Sequence, residues 1–217
     1  MRTKEKIINE SLFLFNSNTF ELSTTSLISK KSGVLEGSLW YHFNSKYDLV
    51  AVHTELFLNS FNKQKTHTKK NEPKDLILGL FSIYEVLWDY RYLMRDTFEL
   101  IVGDYPELYK QISDLNSKID DWAEEAIIHA KNLGVLIIED DDVGSIVEIS
   151  LIIGRHWLDY SMKKYPSKSD LYLRKKGINL LIKTFYPYLS KDSKEIMDLI
   201  YDCLLYTSDA ADECDSV

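Results

Sequence analysis

The most chemically suggestive stretch of the chain is the short run Glu36, Gly37, Ser38, Trp40, Tyr41 and His42, set around a single apolar Leu39. Two aromatics and a histidine side by side are costly to leave in water. DNA sugars, thymine methyls and phosphates are surfaces on which such side chains pack. The case for catalysis is weaker. The sequence has no glycine-rich phosphate loop, nucleophile elbow or zinc spacing. Glu125 and His129 lie one helical turn apart, but two ligands without a second cluster fall short of a metal site, and a solvated i,i+4 pair is the expected reading. Glu139-Asp140-Asp141-Asp142 lacks the spacing and glycine of a calcium loop, and is expected to complement the dipole of the helix after it. His53 and His67 have no partner that sequence identifies. No enzymatic activity, no metal and no cofactor is expected.

Helical periodicity runs from end to end, with only 8 glycines and 4 prolines to interrupt it. A first helix is expected from about Thr3 to Asn16, with Ile8, Ser11, Leu12 and Phe15 on one face. Ser23-Thr24-Thr25 offer caps for a second, reaching Ser32 and stopped by Gly33. A third fits Glu36 to Phe43, and Asn44-Ser45 cap a long fourth from Lys46. The polar stretch 62–72 reads as a fraying helix end or a link. Pro73 opens a fifth helix to about Asp89, a sixth covers about Arg91 to Val102, and Pro106 opens a seventh ending at Leu133-Gly134. An eighth reaches about Tyr165, a ninth spans about Ser169 to Tyr186, and a tenth begins near Asp192. The fold class is all-α.

Leu27, Ile28, Val34, Leu39 and Phe43 can close a small core with Leu12 and Phe15, with two short helices flanking Gly33. This is the layout of a helix-turn-helix, in which the second short helix carries the exposed side chains. Charge is distributed to match. The chain has a net charge of -8, yet residues 1–70 hold 10 lysines and arginines against 6 acids, and residues 71–217 hold 16 against 28. A basic head on an acidic body presents one end of the molecule to a polyanion.

The run Gly33-Val-Leu-Glu-Gly-Ser-Leu-Trp-Tyr-His-Phe-Asn-Ser-Lys46 resembles the signature of TetR-type repressors, usually G-V-S-x-G-T-L-Y-x-H-F-x-S-K. Thr24-Thr25, Ile28 and Leu12-Phe13-Leu14-Phe15 fall at that family's spacing too, so the resemblance covers about residues 5–50. The body matches only in length and helix count. The resemblance implies that Thr24, Thr25 and Ser26 contact phosphate at the start of the second helix. It places Glu36, Gly37, Ser38, Trp40 and His42 toward the major groove, with Tyr41 and Lys46 on the DNA backbone. Two positions depart from the pattern. Leu35 replaces the serine that caps the recognition helix, and Glu36 replaces a frequent lysine. Glutamate accepts from cytosine N4, so Glu36 is expected to favour a C in the operator.

The resemblance also implies a small-molecule inducer, a homodimer and double-stranded operator DNA as partners. Tyr84, Trp88, Tyr92, Phe98, Trp122, His129, Arg155 and Trp157 are the candidate pocket residues, an aromatic set with a few polar tips. The ninth helix carries Ile178, Leu181, Ile182 and Phe185 at i, i+3, i+4, i+7. With the eighth, apolar almost all round from Ile146 to Ile153, it is expected to form a four-helix dimer interface, though either stripe could close an intramolecular core. The expected domains are 1–48 for DNA binding, 49–202 for ligand and dimerisation, and 203–217 as an artefactual tail. From Cys203 to Glu213 the sequence looks like a translated sequencing adapter. No apolar run approaches the ~20 residues that span a bilayer, and the start has no signal-peptide core, so a cytoplasmic protein is expected. The function expected is that of a dimeric repressor released from its operator by a small molecule. The alternative is a helical ligand-binding or adaptor protein without specific DNA reading.

Overall fold

Helix boundaries in this chain are set by local chemistry. The Thr24 hydroxyl accepts the Leu27 N–H at 3.2 Å, Ser45 does the same for Asp48, and Ser169 for Tyr172. Pro73 and Pro106 stand in the first turns of their helices, where a missing N–H costs nothing. Gly33 and Gly134 end theirs in the left-handed region, at φ +66° and +69°.

The computed structural model describes residues 2–95, 98 and 101–212, with side chains described for all of these except 158 and 202–212. The helices are α1 (Thr3–Ser17), α2 (Thr25–Ser32), α3 (Glu36–His42), α4 (Lys46–Lys65), α5 (Pro73–Asp89), α6 (Pro106–Asn132), α7 (Val143–Lys164), α8 (Asp170–Phe185) and α9 (Lys191–Asp212). Among the described residues no strand forms, only a single bridge between Leu136 and Leu189. The fold is all-α.

One expected helix differs in its first turn. Where sequence periodicity predicts a sixth helix over about Arg91 to Val102, Arg91–Met94 form a 3-10 turn and Arg95 is extended, while Phe98 and Ile101 are helical and the Val102 N–H bonds the Phe98 carbonyl at 3.2 Å. The Tyr92 N–H bonds to the Asn16 side chain at 3.1 Å instead of a carbonyl in its own segment. Residues 96, 97, 99 and 100 of that expected helix lie outside the described residues. The polar stretch 62–72 is short and structured: α4 reaches Lys65, then a 3-10 turn buries Thr68 against α5 and the Trp122 indole.

Head and body share one hydrophobic core. It starts at Ile7, Phe15 and Leu39, runs through Phe57 and Tyr92, and reaches Trp157 and Leu173. A second cluster closes the far end of the body around Leu76, Ile127, Leu136 and Met197. The α8 stripe lines the cavity, with Ile182 buried and Ile178, Leu181 and Phe185 half-buried. α7 divides its apolar residues between two sides. Ile146 and Trp157 are buried, while Ile149, Ile152 and Tyr160 stand exposed on the outer face.

The seam between head and body is polar as well as greasy. Asn16 at the end of α1 donates to the Asp89 carbonyl at 2.7 Å. Arg95 donates to the carbonyls of Phe15, Asn16 and Asn18 at 3.0 to 3.3 Å and pairs with Asp159 of α7 at 2.9 Å. It thereby caps carbonyls that the helix end leaves unsatisfied.

His53 is fully buried in the same seam. The Ile8 carbonyl, 3.0 Å from Nε2, can only accept, so Nε2 carries the proton and Nδ1 accepts from the Tyr92 hydroxyl at 2.8 Å. Burial pushes its pKa down to about 4. An unfolded histidine titrates near 6.5, so below that pH the unfolded chain binds the extra proton. The contribution of His53 to stability is therefore complete above about pH 6.5. It is lost as pH falls toward 4, by about 3 kcal/mol at most. Denaturation midpoints measured from pH 7.5 to 4.5 should fall more steeply for the native chain than for His53→Gln. Parallel curves would contradict the neutral, buried histidine.

Candidate nucleic-acid interface and apolar cavity

α2 and α3 are joined by a turn that only a few residues build: Gly33 supplies the left-handed conformation, and the Val34 N–H closes back on the Ser29 carbonyl at 3.0 Å. Leu39, fully buried, seats α3 on the head core. Around that anchor the helix turns Tyr41 out at 85% exposure and Trp40 at 46%, with Gly37 also exposed and Ser38 and His42 half-buried. Tyr41 leans edge-on against His42, ring centroids 5.1 Å apart. As its sequence implies, α3 has no side-chain cap, because Leu35 stands at that position.

Glu36 is tied within the head. Its carboxylate accepts from the Thr25 hydroxyl at 2.8 Å, linking the first turns of α2 and α3. Thr24 is occupied as the α2 cap, while Ser26 is exposed. Lys46 is folded inward. Its ammonium donates to the Phe20 carbonyl at 2.7 Å and lies 4.2 Å from the centre of the Phe20 ring, and burial lowers its pKa. Lys4 lies 5.7 Å over the Phe43 ring beside the end of α3, and Lys30 and Lys31 occupy the last turn of α2. These exposed cations escaped the site assignment from sequence. Their signal was the basic balance of residues 1–70, which a motif match does not resolve into positions.

Below the seam, α5, α6, α7 and α8 enclose an apolar cavity of about 100 Å³. Of the eight aromatic and polar candidates, Tyr84, Trp122 and Arg155 line it. Trp88, Tyr92, Phe98 and Trp157 do not. Trp88 donates to Asp170, Tyr92 and Phe98 meet edge to face in the head–body seam, and Trp157 donates to the Leu173 carbonyl. His129 is spent on the Lys70 carbonyl at 3.1 Å, and Glu125 pairs with Lys65. The expected Glu125–His129 pair is therefore replaced by separate partners for each. Most of the lining is aliphatic, including Ile77, Leu80, Ile119, Leu151 and Ile178, residues whose type gives no chemical signal in a sequence. Among the described residues there is no cluster of metal-ligating side chains, and no helix is long and apolar enough to cross a membrane.

A helix-turn-helix whose second helix presents aromatics is thus fused through a shared core to a helical body that holds an apolar cavity. The family model for TetR, described as a bacterial transcriptional repressor, matches residues 57–197, and the chain belongs to that family. That match falls on the body, where the sequence signature of the head is silent. The HTH-type transcriptional regulator QacR of Staphylococcus aureus is 27% identical over 124 residues, which is 55% of this chain and 62% of QacR. The chain thus spans less than two thirds of that relative's length. A TetR-family transcriptional regulator from Marinobacter aquaeolei VT8 shares the fold at a TM-score of 0.75 and 20% identity, over 94% of this chain and 99% of that one. The ketosteroid transcriptional regulator KstR2 of Mycobacterium tuberculosis does so at 0.62 and 18%, over 88% and 96%.

Proposed function

We propose that the protein is a dimeric, cytoplasmic repressor that occupies operator DNA through α3 and leaves it when a small molecule fills the cavity, without catalysing any reaction. The observation that carries this reading is the exposure of Trp40 and Tyr41 on a helix whose Leu39 is locked in the core. Ser26, Ser38 and His42 complete the proposed contact surface, and Gly37 lets the backbone approach the groove. Thr24, Thr25 and Lys46 serve it by fixing the head, and reach phosphate only by sharing or exchanging their present bonds. Glu36 must release Thr25 before it accepts from a cytosine.

Two copies are needed because recognition helices must meet half-sites ~34–36 Å apart. Ile149, Ile152 and Tyr160 on the open face of α7 are the proposed contact between them. Asp159, one turn beyond the cavity residue Arg155, holds Arg95, and Arg95 holds the end of α1. That chain of contacts is the proposed path by which an occupied cavity biases the head spacing.

Binding of the full chain to a mixed-sequence duplex should weaken linearly with log salt concentration, with a slope set by the number of phosphates neutralised. Tyr41→Ala should weaken binding without changing that slope, because a tyrosine releases no counterion. Ligand binding by a folded chain that shows no affinity for DNA would favour the adaptor alternative.

A further inference from the structure

The cavity is apolar almost throughout, with few polar side chains such as Tyr84, Ser150 and Arg155 in its lining, and this specifies a ligand class, given the reading of the cavity as a ligand site. The Arg155 guanidinium bonds the Asn116 carbonyl and pairs with Asp120, both near the Ile119 level of α6. Tyr84 also lines the cavity, and its hydroxyl lies over Gly177, close to the Trp157 indole. Among the described residues the Tyr84 hydroxyl and the Arg155 Nε are buried with no hydrogen-bond partner. A buried donor without an acceptor is unfavourable, and both of these N–H and O–H groups lack one.

Beside the cavity lies a narrow apolar space of about 20 Å³ between Ala130, Val135, Leu136 and Leu189. Ile77, Leu80, Phe185 and Met197 line both spaces, so the two adjoin. Met197 is an unbranched thioether that repacks readily. From Ile119 to Ile127 the lining follows α6 for about 12 Å at 1.5 Å per residue.

Among the described residues no carboxylate lines the cavity, so a cationic ligand would be buried without a counter-charge. The Arg155 charge is already matched by Asp120, so an anion would have to compete for it. We infer that the cavity takes an uncharged, elongated apolar molecule with one carbonyl-type acceptor, whose oxygen meets Tyr84 and Arg155 while its tail points toward Met197.

The test compares three compounds with one tail: methyl octanoate, octanoate and octyltrimethylammonium. Each is titrated against the full chain carrying the neutral fluorescent probe N-phenyl-1-naphthylamine. Methyl octanoate should displace the probe at a concentration at least tenfold below the other two. Tyr84→Phe and Arg155→Lys, the latter keeping a cation for Asp120, should each raise its dissociation constant several-fold more than they change the probe's own, which is measured directly for each variant. The inference is overturned if the acid or the ammonium displaces as well as the ester, if the variants change nothing, or if the probe does not bind. DNA takes no part in this assay, so its failure leaves the operator-binding reading standing, and failure to bind DNA leaves the ligand class standing.

Discussion

Replacing Arg95 with alanine should destabilise the chain by about 3 kcal/mol, read as a lower urea midpoint at unchanged slope. One guanidinium donates to three carbonyls at the end of α1 and pairs with Asp159 on α7. Alanine leaves the carbonyls without their donor in a place water reaches poorly, since Arg95 itself is buried. Hydrogen bonds from a charged donor are worth roughly 1.5–3 kcal/mol each in net terms, and they share one side chain here, so they do not add fully. Asp159 is partly exposed, and its loss of a partner contributes the smaller share. Arg95→Lys should recover only part of the loss, because an ammonium cannot fork across carbonyls on both sides of the helix end. A cost below about 1 kcal/mol for Arg95→Ala would mean that the seam is held by its aromatic packing alone.

The second large effect is expected at Gly177. A Cβ built there would stand 1.9 Å from the Tyr84 hydroxyl and 2.5 Å from two atoms of the Trp157 indole. α8 packs this closely on α5 and α7 only because residue 177 has no side chain. The Trp157 indole is anchored by its bond to the Leu173 carbonyl, so it cannot simply step aside. Gly177→Ala should therefore cost about 2–3 kcal/mol by overpacking, lowering the melting temperature by about 5–10 °C for a chain of this size. Tyr84→Phe removes the nearest obstructing atom and leaves the indole in place. Added to Gly177→Ala, it should restore part of the stability, a coupling that a double-mutant cycle measures. Strict additivity of the two changes would contradict the contact.

The head was legible in the sequence because its information is local. Cap, turn glycine and recognition helix lie within about twenty residues, from Thr24 to Lys46, and each feature forms as its own chemistry dictates. The bond between Thr25 and Glu36 was not legible, since both side chains fit a DNA role equally well before their geometry is known. The body was readable as helices but not as an arrangement. Trp88, Tyr92, Phe98 and Trp157 look like pocket residues by type, yet they fill the core, where large rings contribute most to packing. The α8 stripe lines the cavity, which its sequence leaves open, because periodicity states that a face is covered and not by what. Arg95 carried no signal at all. A buried arginine is recognised only once three carbonyls are found around it.

The central claim is that α3 reads DNA as one of a symmetric pair. The most direct test is selection of random duplex DNA on the purified full chain at near-physiological salt, run beside the Trp40→Ala/Tyr41→Ala double variant. The result expected is an enriched palindrome with half-sites about one helical turn apart, including a position that prefers C, and loss of that enrichment in the double variant. An unenriched pool from a folded, dimeric sample, or an enrichment that survives loss of both aromatics, would contradict it.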